Sequence, residues 1–551
     1  MLHLGGQDTI TAYAVQDNEL WLRHLLDLVV QSGVALYIFF MSLKVSSLSF
    51  LTIPVFLAGF IKYAERIWAL NSANYDSMTA FLERRHQIVG RDVDGYVQWA
   101  EDLAFMSPYD IEISTNDETI FGANISKILN PPFMLFEIFR CLFQNRKVKG
   151  SILLRDGHSY FRDSKTAWKT IEDELGYAYD VYYTKAPLFF TAWGFLFRFF
   201  SFTSALFVFV LLLIKERHKH PQIDLIITYL LLVGAILIET YAVILLSASD
   251  WPLRWYGNRL LGNCIKTLFT PIRNGCAKLT SKQRWSNSMG QLNLLGLCLQ
   301  DKSPQDDHGT PKNLRKRKRV SYRMLLLYTT HKPVSDELKK LVFNMLRSPN
   351  SNGFHDEYIT NGAAGATVET YQRIIIWHIA TDLCFHTDGT NERDKNRKEM
   401  SKHVSDYMMY ILEMCPLELP KQDAKFSFEH TCWDLVQLVK KKFPGENLSR
   451  LSEAEVCQRL ISGVEDLGTN VRWDLLEEDL LPFAVQVANK LNQNDRKWKT
   501  LSKFWVENLA YVATLCQGHN HAQLLGKGGE FLSHVWILKE HFIHIESSPE
   551  P

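Results

Sequence analysis

Two stretches of this chain leave few choices of environment. APLFFTAWGFLFRFFSFTSALFVFVLLLI runs from Ala186 to Ile214, and LIITYLLLVGAILIETYAVILLSA from Leu225 to Ala248. Each exceeds the ~20 apolar residues that carry a helix across the hydrocarbon core of a bilayer. Each holds a single charged residue, Arg198 in the first and Glu239 in the second. Buried helices of a soluble domain would be shorter and more often interrupted by charge. Two weaker runs precede them, Leu25–Leu43 and Val45–Ile61; the second is short and carries Pro54. The expectation is four membrane helices, with the Val45 run a candidate re-entrant segment.

Basic residues set the expected orientation. Arg254, Arg259, Lys266, Arg273, Lys278, Lys282 and Arg284 follow the last apolar run, against the short KERHKH loop at 215–220. The excess of positive charge near a cytosolic membrane face then puts both large hydrophilic regions in the cytosol. The expected layout is an interfacial element at 1–24, transmembrane helices 1 and 2 at 25–61 and a cytosolic region at 62–185. Transmembrane helices 3 and 4 follow at 186–250, then a basic juxtamembrane segment and linker at 251–320, and an all-α C-terminal domain at 321–551. The fold class is therefore mainly α: a multi-pass helical membrane region followed by a cytosolic all-α domain, in the plasma membrane or an endomembrane.

Arg198 lies twelve residues from Ala186 and Glu239 nine from Ala248. At the helical rise, those depths are roughly 18 and 14 Å from the same face, within reach of one another. A lone charge there costs at least ~2.5–3.5 kcal/mol, so the two are expected to pair. Such a pair can line an ion or substrate pathway or can serve the fold alone, with Arg198 snorkelling beside Trp193 and Gly194, where a helix can break. The fold-serving role is preferred, because there is one such pair and no evident inverted repeat.

Nine cysteines are dispersed with no C-x-x-C, which reads as reduced thiols in a reducing compartment. With net charge +1 the chain has no global field drawing it to nucleic acid. Sequons at Asn124 and Asn447 fall on the expected cytosolic side and are expected to be unused. Asp8, Asp17 and Glu19 precede the first apolar run, which is not the pattern of a secretory leader.

Several stretches are family-like. HLGGQDTITAYAVQDNELWLRH (3–24), AGFIKYAERIWAL (58–70), ELGYAYDVYYTKA (174–186) and ITYLLLVGAILIETYA (227–242) resemble, in order, the signatures of a plant membrane family, domain of unknown function 4220. WHIATDLCFH (377–386) and HAQLLGKGGEFLSHVWILKEHF (521–542) are similar to its companion C-terminal domain of unknown function 594. The resemblance implies a multi-pass plant membrane protein with no established activity, and it brings no catalytic residue with it. Relatives carry further apolar helices ahead of the HLGGQDT element, so the chain reads as truncated at its N-terminus. In that light 1–24 is an internal element, with Gly5–Gly6 at a turn, Asp8 or Thr9 capping a helix, and Tyr13 and Trp21 at the membrane surface.

The tail opens on a turn-rich linker, LQDKSPQDDHGTPKN (299–313), followed by RKRKR. Arg315, Lys316, Arg317, Lys318 and Arg319 belong to a run of seven basic residues between Lys312 and Arg323 without an acid. Next to a membrane such a run attracts anionic lipid head groups, at ~1 kcal/mol per basic residue near the surface; otherwise it is a solvated charge run. Beyond it, apolar residues recur at helical spacing in YQRIIIWHIATDLCF, SKHVSDYMMYILEM, WDLVQLVKKKF, WDLLEEDLLPFAVQVANKL, KFWVENLAYVATLC and FLSHVWILKEHF, predicting six to eight helices.

Two histidine stripes could hold a divalent metal: His378, Asp382 and His386 at i, i+4, i+8, and Glu530, His534, His541 and His544 on the last helix. No H-E-x-x-H accompanies them, so polar stripes, with His378 hydrogen-bonded beside Trp377, are the plainer expectation. GKGGE (526–530) lacks the Lys-Ser/Thr ending of a phosphate loop; its glycines allow a turn, and Glu530 favours the start of the following helix through the helix dipole. No cofactor is called for. The sequence is read as an interaction or scaffold module rather than an enzyme, with the bilayer, anionic lipid and unidentified proteins as partners. A transporter or channel component using Arg198 and Glu239, and a metal-dependent enzyme in the tail, are the alternatives.

Overall fold

A computed structural model describes residues 20–41, 49–74, 131–146, 158–189, 191–214, 222–248, 285–299, 322–348, 368–389, 394–414, 421–462, 480–526 and 530–546. Residues 3–19, the Asn124 sequon, the 215–220 loop and Arg315–Arg319 lie outside them. The chain divides into two compact units. Unit 1 comprises Met1–Trp285 with His521–Gly529 and His544–Pro551, and unit 2 comprises Ser286–Asn520 with Glu530–Ile543. Unit 2 thus begins at Ser286, upstream of residue 321, because the stretch after Trp285 packs with the later helices.

In unit 1 the helices are α1 (Trp21–Met41), α2 (Ser49–Ser72), α3 (Pro131–Phe139), α4 (Ser164–Tyr183), α5 (Ala186–Phe189), α6 (Ala192–Ile214) and α7 (Gln222–Ala248). Three of them, α1, α6 and α7, are long and apolar enough to cross a membrane. Their outer faces leave large apolar side chains uncovered: Phe40, Phe199, Phe207, Leu230 and Leu237 are each more than half exposed. Surface of that kind suits a hydrocarbon environment and associates the protein with a membrane.

The second apolar run differs from expectation. It does not stop at Ile61 but continues to Ser72 as one helix, bringing Lys62, Glu65 and Arg66 into its second half. That charge content keeps α2 out of the set apolar enough to span. The third run is also not one helix. It breaks between α5 and α6, where the Thr191 hydroxyl accepts from Gly194 N–H at 3.0 Å and donates to the Leu188 carbonyl at 2.6 Å. Only glycine fits at 194, since a Cβ there would meet the Leu188 carbonyl oxygen at 2.0 Å. Arg198 is consequently six residues into α6, about 9 Å along its axis, rather than twelve into a continuous span. Val208, Leu212 and Leu232 form an apolar contact between α6 and α7, with Val55 of α2 against it. Leu28, Tyr63 and Ile67 join α1 to α2.

Unit 2 is almost wholly helical. In chain order it contains β1 (Ser288–Gln291), α8 (Leu294–Leu299), α9 (Tyr322–Tyr328), β2 (Thr330–Pro333), α10 (Asp336–Leu346), α11 (Thr370–Thr387), α12 (Lys395–Met414) and α13 (Lys421–Lys442). These are followed by α14 (Glu453–Ser462), α15 (Leu481–Asn492) and α16 (Lys497–Leu515). The division between the units runs through α17 (Gly518–Leu525) and α18 (Phe531–Glu546). There are more helices than the periodic segments predict, because short connectors such as α9 and α17 are helical too. The two strands were not anticipated; they pair antiparallel, Ser288 opposite Pro333 and Gln291 opposite Thr330.

Local chemistry explains the helix starts. Ser335 caps α10 by accepting from Leu338 N–H. Ser452 and Glu455 form a reciprocal capping box ahead of α14, with the two backbone N–H bonds at 3.0 and 3.2 Å. The core is aromatic at its centre. Trp377 stacks on Phe504 with ring centroids 3.7 Å apart, and the Trp505 indole N–H donates to the Thr381 hydroxyl at 3.0 Å.

One cysteine expectation is corrected. Cys298 on α8 and Cys432 on α13 form a disulfide, with Cα atoms 5.8 Å apart despite 134 residues of separation. Linear spacing carries no signal for this pair, because only the packing of α8 on α13 brings the sulfurs together. Among the described residues, Cys141, Cys384, Cys457 and Cys516 are buried and not disulfide-bonded.

Candidate functional site

Two groups of buried charges hold the residues singled out from sequence, one in each unit. In unit 1, α2 presents Lys62 and Glu65 three residues apart, a spacing that puts both on one face. Arg198 and Ser201 of α6 do the same, and α7 supplies Glu239. Lys62 Nζ lies 2.6 Å from Glu239 Oε1, and the Ser201 hydroxyl donates to the same oxygen at 3.0 Å. Arg198 Nη1 is 3.7 Å from Glu239 Oε2, while its Nε is 3.8 Å from Glu65 Oε2. The guanidinium also sits over the Phe189 ring, 5.3 Å from its centroid. All four charged residues are buried, Glu239 to 2 % exposure.

Arg198 and Glu239 are therefore side by side, but not as an isolated pair. Sequence reasoning missed Lys62 and Glu65 because it ended the second apolar run at Ile61. The available signal was the i, i+3 charge pair immediately beyond that run, on a helix with no breaker between Ile61 and Ser72.

In unit 2, α11 supplies His378 and Asp382 one turn apart, and α12 supplies Lys402 and Asp406 likewise. Lys402 Nζ lies 2.5 Å from Asp382 Oδ1 and 2.6 Å from Asp406 Oδ1. His378 Nε2 is 3.8 Å from Asp382 Oδ2, and its Nδ1 is 3.8 Å from Asp406 Oδ1. The imidazole's hydrogen bonds lie elsewhere. Leu294 N–H donates to Nε2 at 3.1 Å, which leaves the ring proton on Nδ1, 3.0 Å from the Ser405 hydroxyl. Burial drives His378 down to about 4 despite Asp382 beside it, so the ring is neutral at physiological pH.

Two carboxylates and one ammonium leave this cluster an excess negative charge, and the two acids divide accordingly. Burial works to raise Asp382, but the adjacent Lys402 ammonium outweighs it and holds the carboxyl below its usual range. Asp406 goes the other way: burial, with the Asp382 charge adding to it, pushes its carboxyl up to about 7 against the pull of Lys402. Burial opposes the charge on Lys402, yet both acids keep its ammonium well above the ordinary lysine range.

His378, Asp382 and Asp406 are the ligand-type residues whose atoms gather within 4.8 Å among those described. A metal ion there would compete with Leu294 N–H for the Nε2 lone pair and with the Lys402 ammonium for the carboxylates. The chemistry of the set is that of an internal salt bridge already holding its cation. The other predicted metal residues are not in this group. His386 Nε2 pairs with Glu453 Oε2 at 3.4 Å. His534 Nδ1 lies 3.1 Å from the Glu530 carbonyl of its own helix. His541 is buried on α18. Asp406 was missed by sequence reasoning; its signal was Lys402–Asp406 at i, i+4 on the buried face of SKHVSDYMMY.

Glu530, read as a helix-starting residue, precedes α18 and accepts from the Tyr407 and Tyr410 hydroxyls at 3.3 and 3.2 Å. Leu532 N–H donates to the Tyr407 hydroxyl at 2.9 Å. Two tyrosines of α12 thus fix the first turn of α18. Residues 527–529 of GKGGE lie outside the described residues.

Comparison with known families matches residues 1–298 to the domain of unknown function DUF4220, and residues 490–543 to a protein of unknown function, DUF594. The first match covers more than half of the chain. No curated protein and no solved structure matches it.

Proposed function

The chain belongs to the DUF4220 family, and on that premise we propose that it is a multi-pass membrane protein whose apolar helices anchor an all-α interaction or scaffold module. The observation carrying this reading is the charge balance of the described ion pairs between α2, α6 and α7. Lys62 and Arg198 meet Glu65 and Glu239 in equal number, and Ser201 adds a hydrogen bond to Glu239. A transport site needs a group that can exchange its partner for cargo, whereas these four neutralise one another within the fold. In unit 2, Asp382, Lys402 and Asp406 are likewise committed to one another, and His378 to the Leu294 N–H.

In this reading unit 2 faces the cytosol of a plasma membrane or endomembrane, as the seven basic residues from Arg254 to Arg284 favour. Arg315–Arg319 would then reach anionic lipid head groups, and unit 2 would bind proteins. Tags at Met1, Lys219 and Pro551 read that topology; a lumenal Pro551 overturns it.

The transporter or channel reading keeps one supporting observation, the burial of four charged groups among apolar helices, where such groups often mark pathways. Glu239→Gln separates the two. Destabilised protein with a lower membrane level is the expected result; wild-type stability with abolished ion flux overturns the scaffold reading. Metal analysis of the purified full chain tests the enzyme reading, with no stoichiometric metal expected.

A further inference from the structure

The Cys298–Cys432 disulfide has no part in the scaffold reading, yet it sits where it can govern the second charge cluster. Residues 291–294, just ahead of Cys298, are fastened across that cluster. Leu292 N–H donates to the Asp406 carbonyl at 3.1 Å and Leu294 N–H to His378 Nε2 at 3.1 Å. Gln291 Nε2 donates to the His403 carbonyl at 3.1 Å, and Asn293 Nδ2 to Glu453 Oε2 at 3.4 Å. The stretch from β1 to α8 therefore covers Asp406, His378 and, through them, Lys402. The disulfide ties its far end to α13.

We propose that Cys298–Cys432 is a reversible redox-modification site, opened by a dithiol reductant, which loosens residues 291–299 from the buried charge cluster. The inference rests on the cytosolic placement of unit 2, since disulfides in a reducing compartment are transient and redox-sensing rather than permanent. Both cysteines are buried, Cys298 fully and Cys432 to 9 % exposure, so attack follows local opening and falls on the Cys432 sulfur. A thiolate of the reductant bonds to Cys432 Sγ as the Cys298–Cys432 bond breaks. The electron pair leaves on Cys298 Sγ, which takes up a proton. The reductant's second thiol then attacks the mixed disulfide and releases Cys432 as a thiol, and the reductant departs as its own disulfide. Two electrons and two protons pass to the protein, and the oxidised form of the same couple reverses both steps.

Two other thiols of the unit, Cys384 and Cys457, do not interfere. Burial pushes Cys384 up to about 12, and it pushes Cys457 higher still. Neither supplies appreciable thiolate at neutral pH, so exchange does not spread to them. Two states result, clamped and released.

The test uses the full chain in detergent. Differential alkylation read by mass spectrometry follows each thiol, and hydrogen exchange follows residues 291–299, with and without dithiothreitol. Both sulfurs are expected to be blocked before reduction and free after it, with at least tenfold faster exchange of the segment on reduction. Cys298→Ser and Cys432→Ser should exchange fast without reductant; if they do not fold, the wild-type comparison alone decides. Free thiols at both positions after mild oxidation, or exchange that reduction does not change, overturns the proposal. A Pro551 tag read in the same cells separates the two readings. A cytosolic tag with a pair unresponsive to a permeant reductant sinks the redox site alone, whereas a lumenal tag sinks the cytosolic placement and the redox site with it.

Discussion

The two buried clusters are built alike and balanced differently. Each draws charges from neighbouring helices at one-turn spacing, and each is almost sealed from water. Between α2, α6 and α7, two cations face two anions. Between α11 and α12, one ammonium faces two carboxylates, and the neutral His378 contributes no charge. The difference shows in the protons. In the balanced cluster each buried charge is met by an opposite one. In the overloaded cluster the excess falls on Asp406, whose carboxyl is pushed up to about 7. Burial alone therefore does not say what a carboxylate is worth; the count of its neighbours does.

Removing the shared cation is the harshest way to break the comparison. Lys402→Met leaves Asp382 and Asp406 together in an apolar site, and deletion of one partner from a buried pair costs ~3–5 kcal/mol. The loss should depend on pH. Without the ammonium, Asp382 moves from below its ordinary range to above it. A carboxyl raised in the folded state contributes stability that is present below its unfolded pKa, near ~4, and lost as pH rises. The deficit against wild type is thus expected to be largest near neutrality and to shrink toward pH 4, as read by denaturant unfolding across that range. A constant deficit would mean that Lys402 acts through packing.

Glu239→Gln applies a milder change to the balanced cluster. The amide keeps the shape and can still accept from Ser201, but Lys62 and Arg198 are left with Glu65 alone. A cost of ~2–4 kcal/mol follows from stranding a buried charge, measured as a lower thermal midpoint in detergent. Restoring balance should recover much of it: Lys62→Met combined with Glu239→Gln is expected to be closer to wild type than either alone. Additive losses would show that the four residues do not act as a unit.

A third change leaves the charges alone and tests the cover over the unit 2 cluster. Gly290 of β1 lies so close to α12 that a Cβ would meet the Tyr410 ring at 2.5 Å. Tyr410 is held in turn by Glu530. Gly290→Ala should cost ~1–3 kcal/mol through overpacking and raise hydrogen exchange in residues 291–299. An unchanged exchange rate would mean that the ring swings aside and that the cover depends on its hydrogen bonds alone.

Periodicity made the helices legible, because an apolar stripe at helical spacing has to be buried whatever covers it. It served best where the stripe is long, as in α6, α7, α11 and α12. Reach along the helix axis likewise put Arg198 near Glu239. What failed was anything decided by a neighbour. The break before Arg198 depends on Gly194 meeting the Leu188 carbonyl, and the continuation of α2 to Ser72 depends on partners for Lys62 and Glu65. The strands β1 and β2 are too short for an alternating pattern and exist only as a pair. The histidine stripe 378, 382, 386 was visible, but its use was not. His378 turns to Leu294 and Ser405, and His386 to Glu453, because those groups arrive from distant sequence. Cys298 and Cys432 carry no linear mark at all.

The smallest expected effect makes the sharpest comparison, because it repeats the Glu239 substitution chemically in the other cluster. Asp406→Asn exchanges a carboxyl for an amide at the position already carrying the surplus proton, and Asn Oδ1 can still accept from Lys402. At pH 4, where the acid is protonated and neutral like the amide, its cost should be below ~1 kcal/mol, about one ordinary hydrogen bond, where Glu239→Gln costs several-fold more. Its pH signature should also reverse sign. In wild type, Asp406 has a folded pKa of about 7 against ~3.9 unfolded. Its contribution is therefore complete below ~4 and is lost progressively as pH rises to 7. The asparagine cannot titrate, so the variant should trail wild type at pH 4 and exceed it at pH 8. Unfolding curves that cross between those values would establish that unit 2 stores a proton where unit 1 stores an ion pair. Parallel curves would show instead that Asp406 is ionised throughout and that Lys402 neutralises both acids together.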